Sequence, residues 1–217
     1  MKLFVWDLHG TLEQGNEDAV VELTNRILEQ YGYKKRLTPA LGRRLYGLCW
    51  YEYFEHLLPS EPHERHLELQ AAAFNLSNSA EGVKIVASYI KPSMNAMKVL
   101  KAIQSKHNQI VISKTVPESL PMFLRTLGML EFFAEGRALA VNQHVRESKR
   151  TKVDVLREYL AGGKYKEIIV IGDSESDMHL ADAFKAKAYL YAHTGTPFRS
   201  TKGHYKINDL AELLPEV

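Results

Sequence analysis

Four short apolar runs, rich in β-branched residues, are spaced along the chain, and each has the length and composition of a buried strand. They cover residues 2–6, 109–112, 168–171 and 187–191, and a shorter strand is predicted at 138–141. Strands that alternate with helices are typical of a parallel sheet with crossover helices, so the pattern predicts an α/β fold. Apolar residues at helical spacing fill the intervals at 93–106, 117–128, 151–161 and 175–185.

The segment from 14 to 89 follows a different pattern, with successive helical periodicities and no clear strand between them. Its last part, 80–90, fits a helix or a strand equally well. The change of pattern predicts a helical domain of residues 14–89 inserted into a core domain formed by residues 1–13 and 90–217. The predicted helices of the insertion cover 17–31, 38–47, 49–58 and 62–76.

Composition excludes several classes of function. The 217 residues carry a formal net charge of only +2, which argues against a dedicated nucleic-acid surface or an anionic membrane partner. The single cysteine, Cys49, cannot form an internal disulfide, so a reducing compartment is compatible with the chain. No run approaches the roughly 18 apolar residues of a membrane helix, and the first residues do not resemble a signal peptide. We therefore expect a soluble cytoplasmic protein, whose oligomeric state the sequence does not indicate.

Carboxylates stand at the ends of two predicted strands. Asp7 follows the first apolar run directly, and Asp173 and Asp177 follow the run at 168–171. In an open parallel sheet, ligands bind beyond the carboxyl ends of the strands, which places these side chains in the expected crevice. Carboxylates brought close together repel one another, and a hard divalent cation with oxygen ligands relieves that repulsion. The sequence therefore predicts a shared Mg²⁺ ion.

These residues also occur in an order that resembles the haloacid dehalogenase-like (HAD) superfamily. Asp7-Leu8-His9-Gly10-Thr11 is similar to its first motif, DxDGT, and Ser113 at the end of a strand is similar to the second. Gly172, Asp173 and Asp177 match the fourth motif, GDxxxD, in full. The resemblance implies a Rossmann-like core with an inserted helical cap, and an enzyme that uses an aspartate nucleophile with Mg²⁺.

The third motif is a lysine close to a helix start, and two lysines are candidates. Lys152 lies in the first turn of an apolar-periodic stretch, whereas Lys149 lies in the polar segment before it. We favour Lys152, because a helix would fix its position relative to the edge of the sheet.

The resemblance assigns catalytic roles to these positions. Asp7 would attack phosphorus and form an aspartyl-phosphate that water later hydrolyses. Ser113 would donate a hydrogen bond to the phosphoryl group, and Lys152 would stabilise its charge. The Mg²⁺ ligands would be Asp7, the backbone carbonyl of His9 and Asp173, with Asp177 as a further ligand or as a partner of one.

Substrate contacts are predicted from both domains. Backbone N–H groups near Gly10 and Thr11 can cradle a phosphoryl group, and Lys114 follows the second motif as a further cationic contact. Arg43 and Arg44 belong to a part of the cap that overhangs the nucleophile in similar proteins, so one of them can contact a substrate anion.

His9 is the departure from the family pattern. The family's phosphatases usually have a second aspartate there, which protonates the leaving group and later deprotonates water. Histidine can perform both tasks, but a cation beside Mg²⁺ is disfavoured. Two interpretations stay open: His9 works as the acid and base, or only its backbone carbonyl matters.

The function that follows is a Mg²⁺-dependent phosphatase acting on a small phosphorylated metabolite. The alternatives are another HAD hydrolase or a phosphotransferase, and a non-catalytic protein that binds a phosphorylated ligand or a partner. Residues 63–66, His-Glu-Arg-His, lack the spacing of a zinc motif and are expected to form a solvated helix face.

Overall fold

The structure is a computed structural model that describes residues 1–133, 136–142 and 150–217. Its contacts divide the chain into two compact units, one formed by Met1–Gln14 and Lys91–Val217 and the other by Gly15–Ile90. The unit boundaries lie one residue from the predicted domain boundaries. None of the described helices combines the length and apolar composition needed to cross a bilayer.

The first unit contains a six-stranded sheet with the order β5-β4-β1-β6-β7-β8, in which every pairing is parallel. This arrangement confirms the α/β class with a Rossmann-like parallel sheet. The strands are β1 (Lys2–Trp6), β4 (Asn108–Ser113), β5 (Ala138–Ala140), β6 (Glu167–Gly172), β7 (Lys187–Tyr191) and β8 (Tyr205–Ile207).

The register brings the ends of the three central strands together. Trp6, the last residue of β1, pairs with Val111 of β4 on one side and with Ile171 of β6 on the other. Because the strands are parallel, the residues that follow β1, β4 and β6 leave the sheet at the same edge. Strand β1 is central and buried, with almost continuous apolar side chains, as expected for a strand covered on both faces.

Helices of the first unit pack on this sheet and give it a core. Alternating residues of the strands, among them Val5, Ile110 and Val170, contact Leu156 and Met178 from two of the helices. The helices are α6 (Ala96–Gln104), α7 (Leu120–Thr126), α8 (Lys152–Leu160) and α9 (Glu175–Ala183), with 3₁₀ turns at Leu130–Phe133 and Leu210–Glu216.

Every secondary-structure element of the second unit, residues 15–90, is a helix. The ambiguous segment at 80–90 is a helix, and it begins where the Ser79 hydroxyl accepts a hydrogen bond from the Gly82 N–H at 3.1 Å. Trp50, Phe54 and Leu57 share the buried face of one helix. The helices are α1 (Asn16–Gln30), α2 (Pro39–Leu45), α3 (Trp50–Leu57), α4 (His63–Asn78) and α5 (Ala80–Tyr89).

Three short strands were not predicted. Strands β2 (Glu13–Gln14) and β3 (Lys91–Pro92) form a two-residue antiparallel pair, and β8 forms one edge of the main sheet. Pieces of two or three residues carry too few positions for a period to be recognised.

Candidate active site

Three carboxylates meet at the edge where the central strands end. One oxygen from each of Asp7, Asp173 and Asp177 lies within 4.8 Å of the others. Their residues are 8%, 6% and 1% exposed, respectively. The Asp7 N–H donates to the Ile171 carbonyl of β6 at 2.9 Å, which ties the first motif to the neighbouring strand. The predicted convergence of acidic strand ends is therefore present in the geometry.

The start of α9 fixes the orientation of Asp177. Ser174 is the N-cap, and Asp177 at the third helical position completes a capping box. Asp177 Oδ2 accepts from the Ser174 N–H at 3.1 Å and from the Ser174 hydroxyl at 2.6 Å. One carboxylate oxygen is thus used by the helix start, and only Oδ1 turns to the rest of the cluster.

Two glycines allow the carboxylates to approach the backbone. A Cβ added at Gly172 would lie 2.2 Å from Cβ of Asp177, and one added at Gly10 would lie 2.6 Å from Oδ2 of Asp173. Gly10 also has a φ of 81°, in the left-handed region that glycine adopts without strain. Side chains at either position would push a carboxylate out of the cluster.

Lys152 is the cation at the centre of the cluster. It is the first residue of α8, whose N-terminus is fixed by the Thr151–Asp154 capping box, and it is only 4% exposed. Its Nζ donates to Oδ1 of Asp7 at 2.5 Å and to Oδ1 of Asp177 at 2.6 Å. Burial alone would lower the pKa of Lys152, but the two carboxylates outweigh it and the pKa is raised. The competing candidate, Lys149, lies outside the described residues.

Arg199 is a second cation at the cluster, and it was not among the predicted site residues. Its Nη1 donates to Oδ2 of Asp173 at 2.6 Å, from a side chain that is 41% exposed. Arg199 lies in the irregular segment between β7 and β8, which is rich in glycine, serine and threonine. No periodic pattern or motif marks that segment.

Burial and mutual repulsion raise the pKa values of two carboxyl groups in the cluster. Burial raises the pKa of Asp7, although Lys152 opposes the rise. Burial, followed by the charges of Asp7 and Asp177, raises the pKa of Asp173 to about 7, against the opposing effect of Arg199. A cation bound at these carboxyl groups would favour their ionised form and displace their protons to solvent.

The residues present fit a magnesium ion. The donor set of Asp7 and Asp173 is made of carboxylate oxygens only, which is the set that Mg²⁺ prefers. Lys152 contacts Asp7 and Asp177 but is not bonded to Asp173, so it does not bridge the pair that would hold the ion. Asp177 has its two oxygens engaged by Lys152 and Ser174, which favours a supporting position over a direct ligand.

Two buried hydroxyls point to a missing polar partner. Ser113 ends β4 and is fully buried, and its Oγ has no hydrogen-bond partner among the described residues. Thr11, on the loop after β1, is also fully buried, and its Oγ1 has no hydrogen-bond partner within the described part of the chain. Buried hydroxyls without partners are costly and call for a ligand or water.

His9 has a partner that sequence reasoning missed. Its Nδ1 lies 3.0 Å from Oε1 of Glu13, a side chain that is fully buried. The same oxygen accepts from the Gly10 N–H at 3.3 Å. The His9 ring also packs edge-on against Phe123, with ring centroids 4.7 Å apart. A carboxylate at Nδ1 fixes the tautomer and leaves Nε2 as the reactive nitrogen.

Three further residues were predicted to contact the substrate. Lys114 follows Ser113 and is partly exposed. Arg43 and Arg44 are exposed residues in the last turn of α2, in the helical unit. The roles of these three residues stay predictions, as does coordination by the His9 carbonyl.

Comparison with known proteins agrees with the fold and the motifs. The family model described as haloacid dehalogenase-like hydrolase matches residues 1–184. No curated protein sequence matches the chain. Solved structures do match it, at identities that show the fold alone.

Three of these structures cover almost the whole chain. A haloacid dehalogenase-like family hydrolase from Streptococcus pneumoniae has a TM-score of 0.73 at 14% identity, with 99% of this chain and 97% of that chain covered. A protein described as a predicted phosphoglycolate phosphatase from Haemophilus somnus has a TM-score of 0.73 at 17% identity, with coverages of 99% and 96%. A subfamily IA hydrolase from Geobacter sulfurreducens has a TM-score of 0.69 at 20% identity, with coverages of 99% and 96%.

Proposed function

We propose that this chain, which belongs to the haloacid dehalogenase-like hydrolase family, is a Mg²⁺-dependent phosphatase that acts on a small phosphorylated metabolite through an aspartyl-phosphate. The observation that carries the proposal is the convergence of Asp7, Asp173 and Lys152 at the end of the sheet. Structural relatives described as phosphatases support the same reaction class. The cytoplasmic location and the absence of nucleic-acid partners stay predictions.

Asp7 is the proposed nucleophile. It is held on one side by β6 through its own N–H and on the other by the ammonium of Lys152. A carboxylate so restrained can attack phosphorus in line, with an acyl phosphate formed and the alkoxide expelled. Water then cleaves the acyl phosphate and regenerates Asp7. Two steps of moderate difficulty thereby replace one difficult step.

Phosphoryl transfer is limited mainly by charge on the transferring oxygens. Lys152 supplies a buried positive charge beside Asp7, and the partnerless hydroxyls of Ser113 and Thr11 are available as hydrogen-bond donors. Asp7 and Asp173 would hold Mg²⁺, which when bound supplies further neutralisation of the phosphoryl oxygens. Asp177 acts through Lys152, whose ammonium it orients.

His9 is proposed as the acid and base, with Glu13 as its positioning residue. The Glu13 carboxyl group, 3.0 Å from Nδ1, would stabilise the imidazolium that forms when Nε2 takes a proton from the water that attacks the acyl phosphate. In the next turnover, the imidazolium would give this proton to the alkoxide that leaves as Asp7 attacks phosphorus. A His–Glu pair therefore takes the place of the second aspartate that the family's phosphatases usually have.

The test is hydrolysis of p-nitrophenyl phosphate with Mg²⁺ and after treatment with EDTA. We expect activity that depends on Mg²⁺ and is reduced at least about 10³-fold in Asp7→Asn, because the amide is not a nucleophile. Asp182→Asn, an exposed aspartate of α9, is the matched control and should keep full activity. Tight binding of a phosphoester without any turnover would instead identify a binding protein.

A further inference from the structure

The helical unit contains a second group of metal-ligating side chains, here called the imidazole cluster: Glu55 of α3 with His63 and His66 of α4. One ligand atom from each of the three lies within 4.8 Å of the others. His63 and His66 are three residues apart on one helix, so their rings project from the same face. The neighbouring helix α3 supplies the carboxylate. The prediction that residues 63–66 form a solvated helix face was wrong for His66.

His66 is the most informative member of the cluster, because it is only 4% exposed. Its Nε2 donates to the Leu58 carbonyl oxygen at 2.9 Å. A carbonyl can only accept, so the proton of the neutral ring is on Nε2 and Nδ1 carries a lone pair. That Nδ1 is buried and has no hydrogen-bond partner among the described residues. A buried acceptor without a partner is costly and indicates an absent water or ion.

The arrangement of His66 matches that of a metal-ligating histidine. Such histidines commonly donate the second ring N–H to a backbone carbonyl or a carboxylate, which fixes the tautomer and aims the other nitrogen. Leu58 provides this carbonyl from the turn between α3 and α4. The lone pair of Nδ1 is therefore oriented before any ligand arrives.

His63 and Glu55 supply the other side of the cluster. His63 Nδ1 lies 2.9 Å from Glu55 Oε1, and its ring is held edge-on against Tyr51 with centroids 5.5 Å apart. Both side chains are partly exposed, at 29% and 43%, so an ion can reach them from solvent. His63 Nδ1 and Glu55 Oε1 now share a proton. If a metal ion replaced that proton, the two atoms would serve as one nitrogen ligand and one oxygen ligand.

We propose that the imidazole cluster is a site for a borderline-soft divalent metal ion, with Zn²⁺ as the ion that suits it best. Two imidazoles and one carboxylate are a common set of protein ligands for Zn²⁺, whose fourth position is then open to water or a ligand. Mg²⁺ is a poor match, because it prefers oxygen ligands only. The site is separate in residues and in ligand chemistry from the carboxylates of the first unit.

The test is a titration of the metal-free full chain with Zn²⁺ in excess Mg²⁺, against a chromophoric chelator that competes for zinc. Excess Mg²⁺ occupies oxygen-only sites and leaves the imidazole cluster available. We expect one Zn²⁺ per chain, with affinity lowered at least about tenfold in His63→Gln and in Glu55→Gln. Both positions are partly exposed, so these variants should fold even if a variant of buried His66 does not.

The matched control is His56→Gln, an exposed histidine beside Glu55 on α3, which should bind Zn²⁺ as the parent does. Co²⁺ in place of Zn²⁺ gives a second readout, because imidazole coordination produces visible absorption bands that His63→Gln should change. The proposal is overturned if the parent binds no Zn²⁺ under excess Mg²⁺. Equal Zn²⁺ affinity in the parent, His63→Gln and Glu55→Gln would overturn it as well.

Discussion

The carboxylates of the first unit and the imidazole cluster of the helical unit show two ways to prepare a site for a cation. In the first unit, buried carboxylates repel one another and are partly neutralised by Lys152 and Arg199. In the helical unit, a backbone carbonyl holds Nε2 of His66 and leaves Nδ1 of the same ring without a partner among the described residues. The first proposed site would attract a cation through surplus negative charge, whereas the second would attract it through nitrogen donors.

On the two proposals above, ligand chemistry would separate two metals within one chain. An oxygen-only site selects a hard ion such as Mg²⁺, and a nitrogen-rich site selects Zn²⁺. Loss of a buried charge should therefore affect the first site most. Loss of an imidazole ligand should lower metal affinity at the second.

The largest effect is expected from loss of the buried ammonium. Lys152→Met leaves Asp7 and Asp177 without a cation, and breaking such a buried pair costs about 3–5 kcal/mol of unfolding free energy. Urea denaturation without Mg²⁺ measures the loss, and Lys164→Met, at an exposed lysine, is the control. A loss of less than about 1 kcal/mol would be the size of an ordinary surface change and would contradict the charge argument.

The His9–Glu13 pair should have the next largest effect, on rate alone. His9→Ala removes the acid and base, so kcat should fall by about 10²–10⁴-fold, and the smaller change Glu13→Gln should alter the pH profile of kcat. Because Glu13 acts through His9, the double variant should be no slower than His9→Ala. Additive losses would show that Glu13 acts independently. Glu118→Gln, at an exposed glutamate, is the control.

A dependence of stability on pH should distinguish the carboxylate site in the metal-free protein. The pKa of Asp173 is about 7 in the folded chain, above its value of about 3.9 when unfolded. The folded state thus binds more protons at Asp173, so the contribution of Asp173 to stability is full below about pH 4 and is lost as pH rises through about 7. Thermal unfolding should show this slope in the parent and a flatter one in Asp173→Asn. If Asp173→Asn left the slope unchanged, other titratable groups would be the cause of the pH dependence.

The smallest effect is expected at Arg199, which competes with a metal ion for Asp173. Its partly exposed ion pair is worth about 0.2–1 kcal/mol, so Arg199→Gln should tighten Mg²⁺ binding by up to about fivefold. Calorimetric titration of Mg²⁺ measures the change, with Arg157→Gln at an exposed arginine of α8 as control. Weaker Mg²⁺ binding in Arg199→Gln would show that the guanidinium supports the ion.

The central strands and the α/β class were predictable, because buried parallel strands are continuous apolar runs that contrast with their flanking helices. The convergence of Asp7 and Asp173 was predictable for a related reason, since the ends of parallel strands meet at one edge. The short strands β2, β3 and β8 and the residue Arg199 were not. These strands and Arg199 lie in segments that tertiary contacts position, and the sequence of such segments has no hydrophobic period.

His66 illustrates a different limit of sequence reasoning. His63, Glu64, Arg65 and His66 are all polar, so their pattern favours a solvated face. Burial of His66 depends on α3 and on the Leu58 carbonyl, and neither can be read from residues 63–66. The partnership of Glu13 with His9 was similarly hidden, because Glu13 appeared to belong to a polar linker.

Gly10 and Gly172 affect how the results of an alanine scan of this chain should be interpreted. Alanine is normally the mildest replacement, yet at these two positions its single methyl group would collide with Asp173 or Asp177. Loss of function at either glycine would therefore report displaced oxygen atoms, although no reactive group had been removed. The missing side chains of Gly10 and Gly172 therefore leave the space that the carboxylates of Asp173 and Asp177 occupy.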